Sequence, residues 1–493
     1  MFVATVIACS SASSPGFDNP GTSSSDGSGG GNFGSSEAGA SATSARCSAD
    51  LHSVLAGDGT VISQCPLTEG CAAGKCVPAC DAASANRSSL GCDYFALPPP
   101  FATCFAAFVA NTWGRDVTLS ARLGAEVLDV NTFTYLPNGS GAHITYTPLK
   151  NGIVPAGKVA IVFLNDGAPP TCPAGIRTAK AVADVLRTGV GKAFRLTTDA
   201  PTVAYDIYPY GGGETAITSA SLLLPTTAWG DNYVGITAYP ANTGTPWLAF
   251  AAKEDGTEVT VSPTSAIVAG PGVSGTARGV PVVYTLNAGD YIKIQQRDDL
   301  IGSTIQATKP IGSWAGNTCA QVPTGQVACD SLHQQVPPVR SFGSRYVGVH
   351  YRDRYEGTPE SPPYRIIGAV HGTTLHFSPP IPGAPTAIGA GEVVEFRAGP
   401  AFVVKSQDDA HPFYLASYMS GCQDAGAGPD PADCRGDPEF VNVIPPQQYL
   451  KSYVFFTDPT YSETNLVVIR AKTANGFADV NLDCKGTLSG WQP

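Results

Sequence analysis

One spacing of proline, aromatic residue and tyrosine occurs three times and constrains the architecture of the chain more than any other feature. In each copy an aromatic residue follows a proline by four positions and a tyrosine follows it by eight: Pro225, Trp229, Tyr233; Pro338, Phe342, Tyr346; Pro445, Tyr449, Tyr453. Each copy is preceded by an alternating run that contains another proline, at Pro201, Pro310 and Pro412. Because successive copies lie more than 100 residues apart, the pattern predicts tandem repeats of domain size rather than the short repeats of a solenoid.

Glycine turns divide the same region into strand-like runs. Gly114, Gly256, Gly372 and Gly476 each precede an alternating apolar and polar segment, which is typical of a half-buried strand. The chain has 55 Gly and 41 Pro in 493 residues, and only 14% of its residues are charged. This composition disfavours long helices and favours strands joined by many turns. We therefore predict an all-β fold with three tandem or pseudo-symmetric β-sandwich-like repeats.

The repeats place approximate limits on the domains. We predict a β-repeat domain over residues 92–493, with repeats over 104–235, 236–348 and 349–455 and a partial repeat over 456–493. A small cysteine-rich module is expected over 47–91 because it holds too few apolar residues to fold without disulfides.

The N-terminal residues suggest export. The segment Val6-Ile7-Ala8-Cys9 resembles a bacterial lipobox, which implies cleavage of residues 1–9 before Cys9 and lipid attachment to its sulfur. Residues 10–46 are rich in Ser, Gly and Ala and have almost no large apolar side chains, so we predict a disordered tether. Lipid anchoring would display the folded part at the bacterial envelope, on the outer membrane or the cell surface.

Fourteen cysteines indicate an oxidising compartment and a set of disulfides, with a zinc site in the cysteine-rich module as the alternative. Cys319 and Cys329 occupy the same place in the second repeat as Cys422 and Cys434 in the third, so we predict two local disulfides. For the other cysteines the spacing leaves the pairing open, with Cys104–Cys172 the one pair we suggest. Lipidation of Cys9 would leave one cysteine unpaired.

The motifs together resemble the N-terminal domain family of IgGFc-binding proteins, in its bacterial lipoprotein branch. The resemblance rests on SASLLLPTTAWGDNYVG (219–235), AAKEDGTEVTVSPT (251–264), LNAGDYIKIQ (286–295), CDSLHQQVPPVRSFGSRYVG (329–348) and GDPEFVNVIPPQQYLKSYVF (436–455). The resemblance implies an extracellular binding protein, and it assigns no catalytic residue to this chain.

Three loops that vary between the repeats are the candidate contact regions, because rigid β scaffolds present binding residues on loops. They span residues 208–219, 315–331 and 419–438, and they supply the candidate binding residues Tyr208, Tyr210, Glu214, Asn317, Gln326, Asp424 and Asp430.

No metal or cofactor is predicted, although the acidic segment from Asp424 to Asp433 leaves calcium as an alternative. A net charge of −11 argues against a nucleic-acid partner. Five carboxylates could serve in glycosidase chemistry: Asp199, Asp206, Glu214, Asp408 and Asp409. No supporting motif accompanies them, and we predict that the chain is not an enzyme.

The sequence favours adhesion or binding of a protein or glycan. The alternatives are a structural envelope protein without a specific ligand, and a carbohydrate-active enzyme or lectin.

Overall fold

The computed structural model describes residues 2–7, 45–48, 50–101, 103–139, 141–167, 171–180, 187–212, 217–326, 328–427, 434–453, 455, 457–461, 464–472 and 476–492. Cys9 and nearly all of the predicted tether lie outside these residues, as do Glu214 and Asp430. Strands make up nearly all of the regular secondary structure in the described part of the chain, so the all-β prediction is confirmed.

The cysteine-rich module contains five short strands and a helix. Their bounds are β2 Arg46–Cys47, β3 Ser53–Leu55, β4 Val61–Gln64, β5 Glu69–Ala72, β6 Lys75–Pro78 and α1 Ala79–Asn86, while β1 Phe2–Ile7 precedes the module. Ala79, Ala82 and Ala83 are buried on one face of α1, and the left-handed conformation of Arg87 ends the helix. Three disulfides hold the module together: Cys47–Cys71, Cys65–Cys76 and Cys80–Cys92.

The first sandwich-like unit, unit one, contains nine strands besides one very long one. Its bounds are β7 Gly91–Ala96, β8 Phe105–Ala110, β9 Val117–Leu123, β10 Glu126–Leu128, β11 Thr134–Asn138, β12 Thr145–Pro148, β13 Ile153–Val154, β14 Val159–Asn165, the long β16 Phe194–Tyr208, and β17 Ser219–Leu223. Strand β16 pairs with β7 and β9 along its first half, and with β8 and β17 along its second half. One strand therefore belongs to both sheets of the unit.

Unit two repeats this arrangement. Its bounds are β15 Gly189–Lys192, β18 Gly230–Val234, β19 Pro246–Ala252, β20 Thr257–Ser262, β21 Val282–Leu286, β22 Asp290–Gln295, β23 Thr304–Ala320 and β24 Asp330–Val336. The long strand β23 pairs with β18 and β20 through its first half, and with β19 and β24 through its second half.

Unit three has the same strand order with the long strand divided. Its bounds are β25 Arg345–Gly348, β26 Pro363–Gly368, β27 Thr373–Ser378, β28 Ala387–Ile388, β29 Val393–Arg397, β30 Phe402–Ser406, β31 Phe413–Met419 and β32 Glu439–Asn442. The sheets run β25-β30-β27-β28 and β29-β26-β31-β32. The C-terminal strands are β33 Asn465–Arg470, which pairs with β1, and β34 Asn481–Leu482 with β35 Gly486–Thr487.

The prolines inside the alternating runs mark the change of sheet. Pro201 and Pro310 lie within β16 and β23 between the two pairing regions, and Pro412 directly precedes β31. Proline has no backbone N–H to donate to a ladder, so it is tolerated where a strand leaves one sheet for the other.

Two of the proline, aromatic and tyrosine segments pair with strands of other units than the predicted repeat limits assign. Gly230–Val234, assigned by sequence to the end of the first repeat, pairs with β23 of unit two, and Arg345–Gly348 pairs with β30 of unit three. The segments at Pro225 and Pro338 therefore open the following unit, whereas the segment at Pro445 follows the last strand of unit three. Strand β7 is the corresponding segment of unit one, with Leu90 in place of the aromatic residue.

The tyrosines fix these opening segments to the long strands. The hydroxyl of Tyr233 donates to the carbonyl of Ile311 at 2.6 Å and accepts from the Gly230 N–H at 3.1 Å. The hydroxyl of Tyr346 makes the equivalent bonds to the Phe413 carbonyl at 2.6 Å and the Gly343 N–H at 2.8 Å. These buried bonds satisfy backbone groups at the corner of each unit.

Apolar clusters lie inside each unit and also between units. Phe95 of unit one packs with Trp229, Trp247 and Trp314 of unit two, and all four are buried. Val336 and Phe342 share a second cluster with Tyr414 and Phe440 of unit three. The units are therefore joined by continuous core rather than by linkers. In the described part of the chain, no helix combines the length and the hydrophobicity of a bilayer-crossing segment.

Candidate functional site

The last strand of each unit contacts the last strand of the next. The Gln335 N–H of β24 donates to Ser221 Oγ of β17 at 2.8 Å, and Asn442 Nδ2 of β32 donates to the Gln335 carbonyl at 3.0 Å. The carboxyl group of Glu439, also on β32, contacts Ser219 of β17. Strands β17, β24 and β32 thus meet pairwise, and we call this junction the central seam.

A chain of hydrogen bonds crosses the central seam through His333. Its Nδ1 lies 3.0 Å from Ser219 Oγ and its Nε2 lies 2.8 Å from Asp206 Oδ1. The imidazole ring packs against the ring of Tyr208 in a tilted arrangement, with 4.3 Å between the ring centroids. None of these four residues is more than 2% exposed. The network joins Asp206 and Ser219 of unit one to His333 of unit two.

Two carboxyl groups near the network are held in their neutral form. Desolvation raises the pKa of Glu439 to about 8, against hydrogen bonds from the Ser219 hydroxyl and the Ala220 N–H that lower it. Desolvation also raises the pKa of Asp330 to about 8, and the neighbouring Asp437 contributes in the same direction. At neutral pH both groups are mostly protonated and can donate hydrogen bonds within the seam.

The order Ser219, His333, Asp206 is that of a nucleophile, a base and an orienting acid. A nucleophile must reach a substrate, however, and the hydroxyl of Ser219 belongs to a residue only 1% exposed. In this conformation the three groups satisfy one another inside the protein, so the arrangement stabilises the junction between units.

The three variable loops come together at the edge of the central seam. The hydroxyl of Ser331 donates to the carbonyl of Ile217, which joins the second loop to the first. The Gly421 N–H donates to the Val322 carbonyl at 2.7 Å, which joins the third loop to the second. The C-terminal segment also reaches this region, because Asp458 Oδ2 accepts from the Gly212 N–H at 3.0 Å.

Several residues predicted to make contacts are instead part of the interior. Tyr208 and Tyr210 are each 1% exposed, and Asn317 is fully buried. The amide of Asn317 donates to the Tyr239 carbonyl at 2.9 Å and accepts from the Cys319 N–H at 3.0 Å. These three predictions are wrong as surface contacts, because Tyr208 and Asn317 belong to the long strands β16 and β23 and Tyr210 packs in an apolar cluster with Phe108 and Phe163.

Two of the other predicted contact residues keep some exposure. Gln326 is half-buried in the second loop. Asp424 in the third loop forms an ion pair with Arg397. The surface of the converging loops is therefore supplied by neighbouring positions such as Thr324 and Gln423, both of which are exposed.

Disulfides brace the second and third loops. Cys319–Cys329 and Cys422–Cys434 are bonded, as the repeat comparison predicts, and so is the suggested pair Cys104–Cys172. Cys484 is disulfide-bonded as well, and no cysteine is free in the part of the chain that the structure describes. The expectation of one unpaired cysteine is therefore not met there.

The carboxylates considered for glycosidase chemistry are engaged elsewhere. Asp199 forms an ion pair with Arg115 at 3.2 Å, and Asp408 Oδ1 lies 2.6 Å from the Nδ1 atom of His411. Within the described residues no group of three His, Cys, Asp or Glu side chains is arranged to hold a metal ion.

Sequence reasoning missed His333, Glu439 and Asp330. The sequence signal that could have found them is the segment Asp330–Val336, which contains Asp, Ser, His and two Gln. The structure shows that this strand is buried at every position. It stands at the same place in unit two as Ser219–Leu223 in unit one, and such a polar strand implies polar partners in the interior.

Comparison with known proteins places the chain in a family. Residues 219–493 match the family described as IgGFc binding protein. The human IgGFc-binding protein is 26% identical over 197 residues, which is 39% of this chain and 3% of the human protein. No solved structure matches the chain. The family match covers more than half of the sequence and includes unit three, strands β17, β24 and β32 of the central seam, and all of unit two except β15, and the chain belongs to the IgGFc-binding protein family.

Proposed function

We propose that the chain is an exported binding protein whose three converging loops contact an extracellular protein or glycan, in an adhesive or ligand-binding role. The observation that carries this proposal is the meeting of loops 208–219, 315–331 and 419–438 at one edge of the central seam. Loops from three units that contact one another form a single surface on a rigid base.

The disulfides support an extracellular role. Cys319–Cys329 and Cys422–Cys434 each close a short loop within the proposed surface. A closed loop loses less conformational entropy when it binds, so the same bonds that stabilise the fold also prepare the surface for a ligand. Disulfide-rich proteins of this kind are exported to oxidising compartments.

We propose binding rather than catalysis. The group that most resembles a catalytic set, Ser219 with His333 and Asp206, lies in the interior, where it joins units one and two. Binding by the loops does not need an exposed catalytic group.

A screen of the chain against immunoglobulin, mucins and a glycan array tests the proposal. Thr324→Arg and Gln423→Arg add bulk and charge at exposed positions of two loops. Both variants should weaken binding to any ligand found by about tenfold or more. Thr285→Arg, at an exposed position of β21, is the matched control and should bind as the wild type does. Equal binding by all variants, or a blank screen with the folded protein, would exclude the loop surface.

Lipid anchoring at Cys9 belongs to the same proposal and is supported by the Val6 to Cys9 motif alone. Mass spectrometry of the N-terminal peptide from native membranes would show a diacylglyceryl group on the sulfur. Finding that sulfur in a disulfide instead would remove the anchor and leave the binding proposal unchanged.

A further inference from the structure

Three basic side chains stand in one line across adjacent strands of unit three. Arg345 of β25 is the register partner of Lys405 of β30, and Lys405 is the register partner of His376 of β27. All three are exposed on the same face of the sheet. We call these residues the basic row. Like charges placed directly opposite one another on a sheet are destabilising, so the row is unfavourable for the isolated fold.

The basic row has no ion-pair partner among the described residues. The ion pairs of unit three use other cations, joining Arg354 to Glu360, Arg365 to Glu395 and Arg397 to Asp424. In the described residues, no ion pair or side-chain hydrogen bond involves a member of the row. An external anion would supply the missing countercharge.

The equivalent positions in the other two units carry no such row. In unit two they are Asn232, Gln306 and Thr260, and in unit one they are Asp93, Thr197 and Ser120. The three units share the strand order at this place, so the fold itself does not require cations there. The basic row is therefore a property of unit three beyond the needs of the scaffold.

A cavity of about 380 Å³ lies over the basic row. Besides the row it is lined by the polar residues Ser344, Thr374, Ser406 and Gln407. Two carboxylates complete the polar wall: Asp408 is hydrogen-bonded to His411, and Asp409 accepts from the hydroxyl of Ser344. Asp408 and Asp409 thus already have partners, whereas Arg345 and Lys405 form no ion pair in the described residues.

We propose that this cavity binds the anionic groups of an acidic polysaccharide, with Arg345, Lys405 and His376 as the residues that contact them. The lining residues carry mostly hydroxyl, amide and charged groups, and Leu375, the one apolar residue among them, is buried. Sugars are bound by such polar surfaces, whereas peptides usually anchor apolar side chains and single-stranded nucleic acids stack on aromatic rings.

This site is separate from the loop surface. No residue that lines the cavity belongs to loops 208–219, 315–331 or 419–438. Failure of the loop proposal therefore leaves this proposal standing, and the reverse also holds.

Binding to three polymers with one backbone tests the proposal: dextran sulfate, carboxymethyl-dextran and neutral dextran. The full chain should bind at least one charged polymer about tenfold more tightly than neutral dextran, and added salt should weaken that binding. The sulfate and carboxymethyl arms decide which anionic group the cavity prefers. Equal affinity for all three polymers would overturn the proposal.

The equivalent positions of unit two supply the substitutions for a variant that lacks the basic row. Arg345→Asn, Lys405→Gln and His376→Thr together install the residues of unit two in unit three, which the same strand geometry already accommodates. This variant should lose charged-polymer binding by about tenfold or more. The control Arg278→Asn with Arg297→Gln removes two exposed cations elsewhere and should keep it. Binding by the row variant at wild-type strength, or an equal loss in the control, would contradict a specific site.

Discussion

The ring of Pro338 packs directly on Gly230, where an added Cβ would lie 2.6 Å from the Cβ of the proline. The same contact joins Pro225 to Gly91 at 2.3 Å and Pro445 to Gly343 at 2.4 Å. Each of these prolines follows the last strand of a unit and covers a glycine at or just before the first strand of the same unit. A repeated steric requirement of this kind explains why the motif is retained in the sequence of each unit.

Gly230→Ala should destabilise the protein, because the new methyl group has no room beside Pro338. We expect a loss of about 1–3 kcal/mol in the free energy of unfolding, measured by urea denaturation. Gly389→Ala is the control, since its nearest neighbour would be the flexible carboxylate of Glu392 at 3.3 Å. Equal stability of the two variants would show that the proline contact does not constrain position 230.

Tyr346→Phe should cost about 1–3 kcal/mol, because it leaves the buried Phe413 carbonyl and Gly343 N–H without their partner. Tyr453 occupies the same place in the last copy of the motif, but it is 55% exposed. Tyr453→Phe should therefore change the stability by less than about 0.5 kcal/mol. Thermal and urea unfolding of both variants would check the difference, and equal losses would contradict it.

The neutral carboxyl groups of the central seam predict a particular pH dependence. The folded-state pKa of Glu439 and of Asp330 is raised to about 8, whereas unfolded carboxyls titrate near pH 4. Between about pH 4 and pH 8 the folded chain keeps protons that the unfolded chain has released. The contribution of these groups to stability is therefore greatest at low pH and declines as the pH rises to 8, by at most about 1.4 kcal/mol per pH unit for each group.

Glu439→Gln removes one of the two groups and should make this decline shallower. Urea unfolding at pH 5, 6.5 and 8 would measure the effect as the difference between variant and wild type. Glu258→Gln, at an exposed position of β20, should follow the wild type at all three pH values. A Glu439→Gln variant with the pH slope of the wild type would show that Glu439 does not titrate with a raised pKa.

The repeated motif was sufficient to predict the all-β architecture and two loop disulfides. It misassigned the opening segments of the units, because the partner of Tyr233 in the ladder, Ile305, follows it by 72 positions and spacing alone does not reveal pairing. The spacing does not reveal the copy at Tyr94, because Asn86 and Leu90 replace the proline and the aromatic residue. Local patterns identify strands, but their partners depend on the whole sheet.

The candidate site was only partly predictable for a related reason. Variation between repeats identified the three loops, yet Tyr208 and Asn317 proved to be buried. Their burial depends on contacts with other units, since Tyr208 of unit one packs against His333 of unit two. A single sequence does not specify contacts between units, so the central seam became visible only in the folded chain.

The central claim is that three units meet at one polar seam, and a double-mutant cycle between Ser219 and Glu439 tests it most directly. These residues are separated by 220 positions and touch only if units one and three are in contact. Ser219→Ala, Glu439→Gln and the double variant would be compared by urea unfolding at pH 6.5. We predict a coupling free energy of about 1 kcal/mol, as expected for groups in one hydrogen-bond network. Additivity to within about 0.3 kcal/mol would contradict the contact and with it the shared seam.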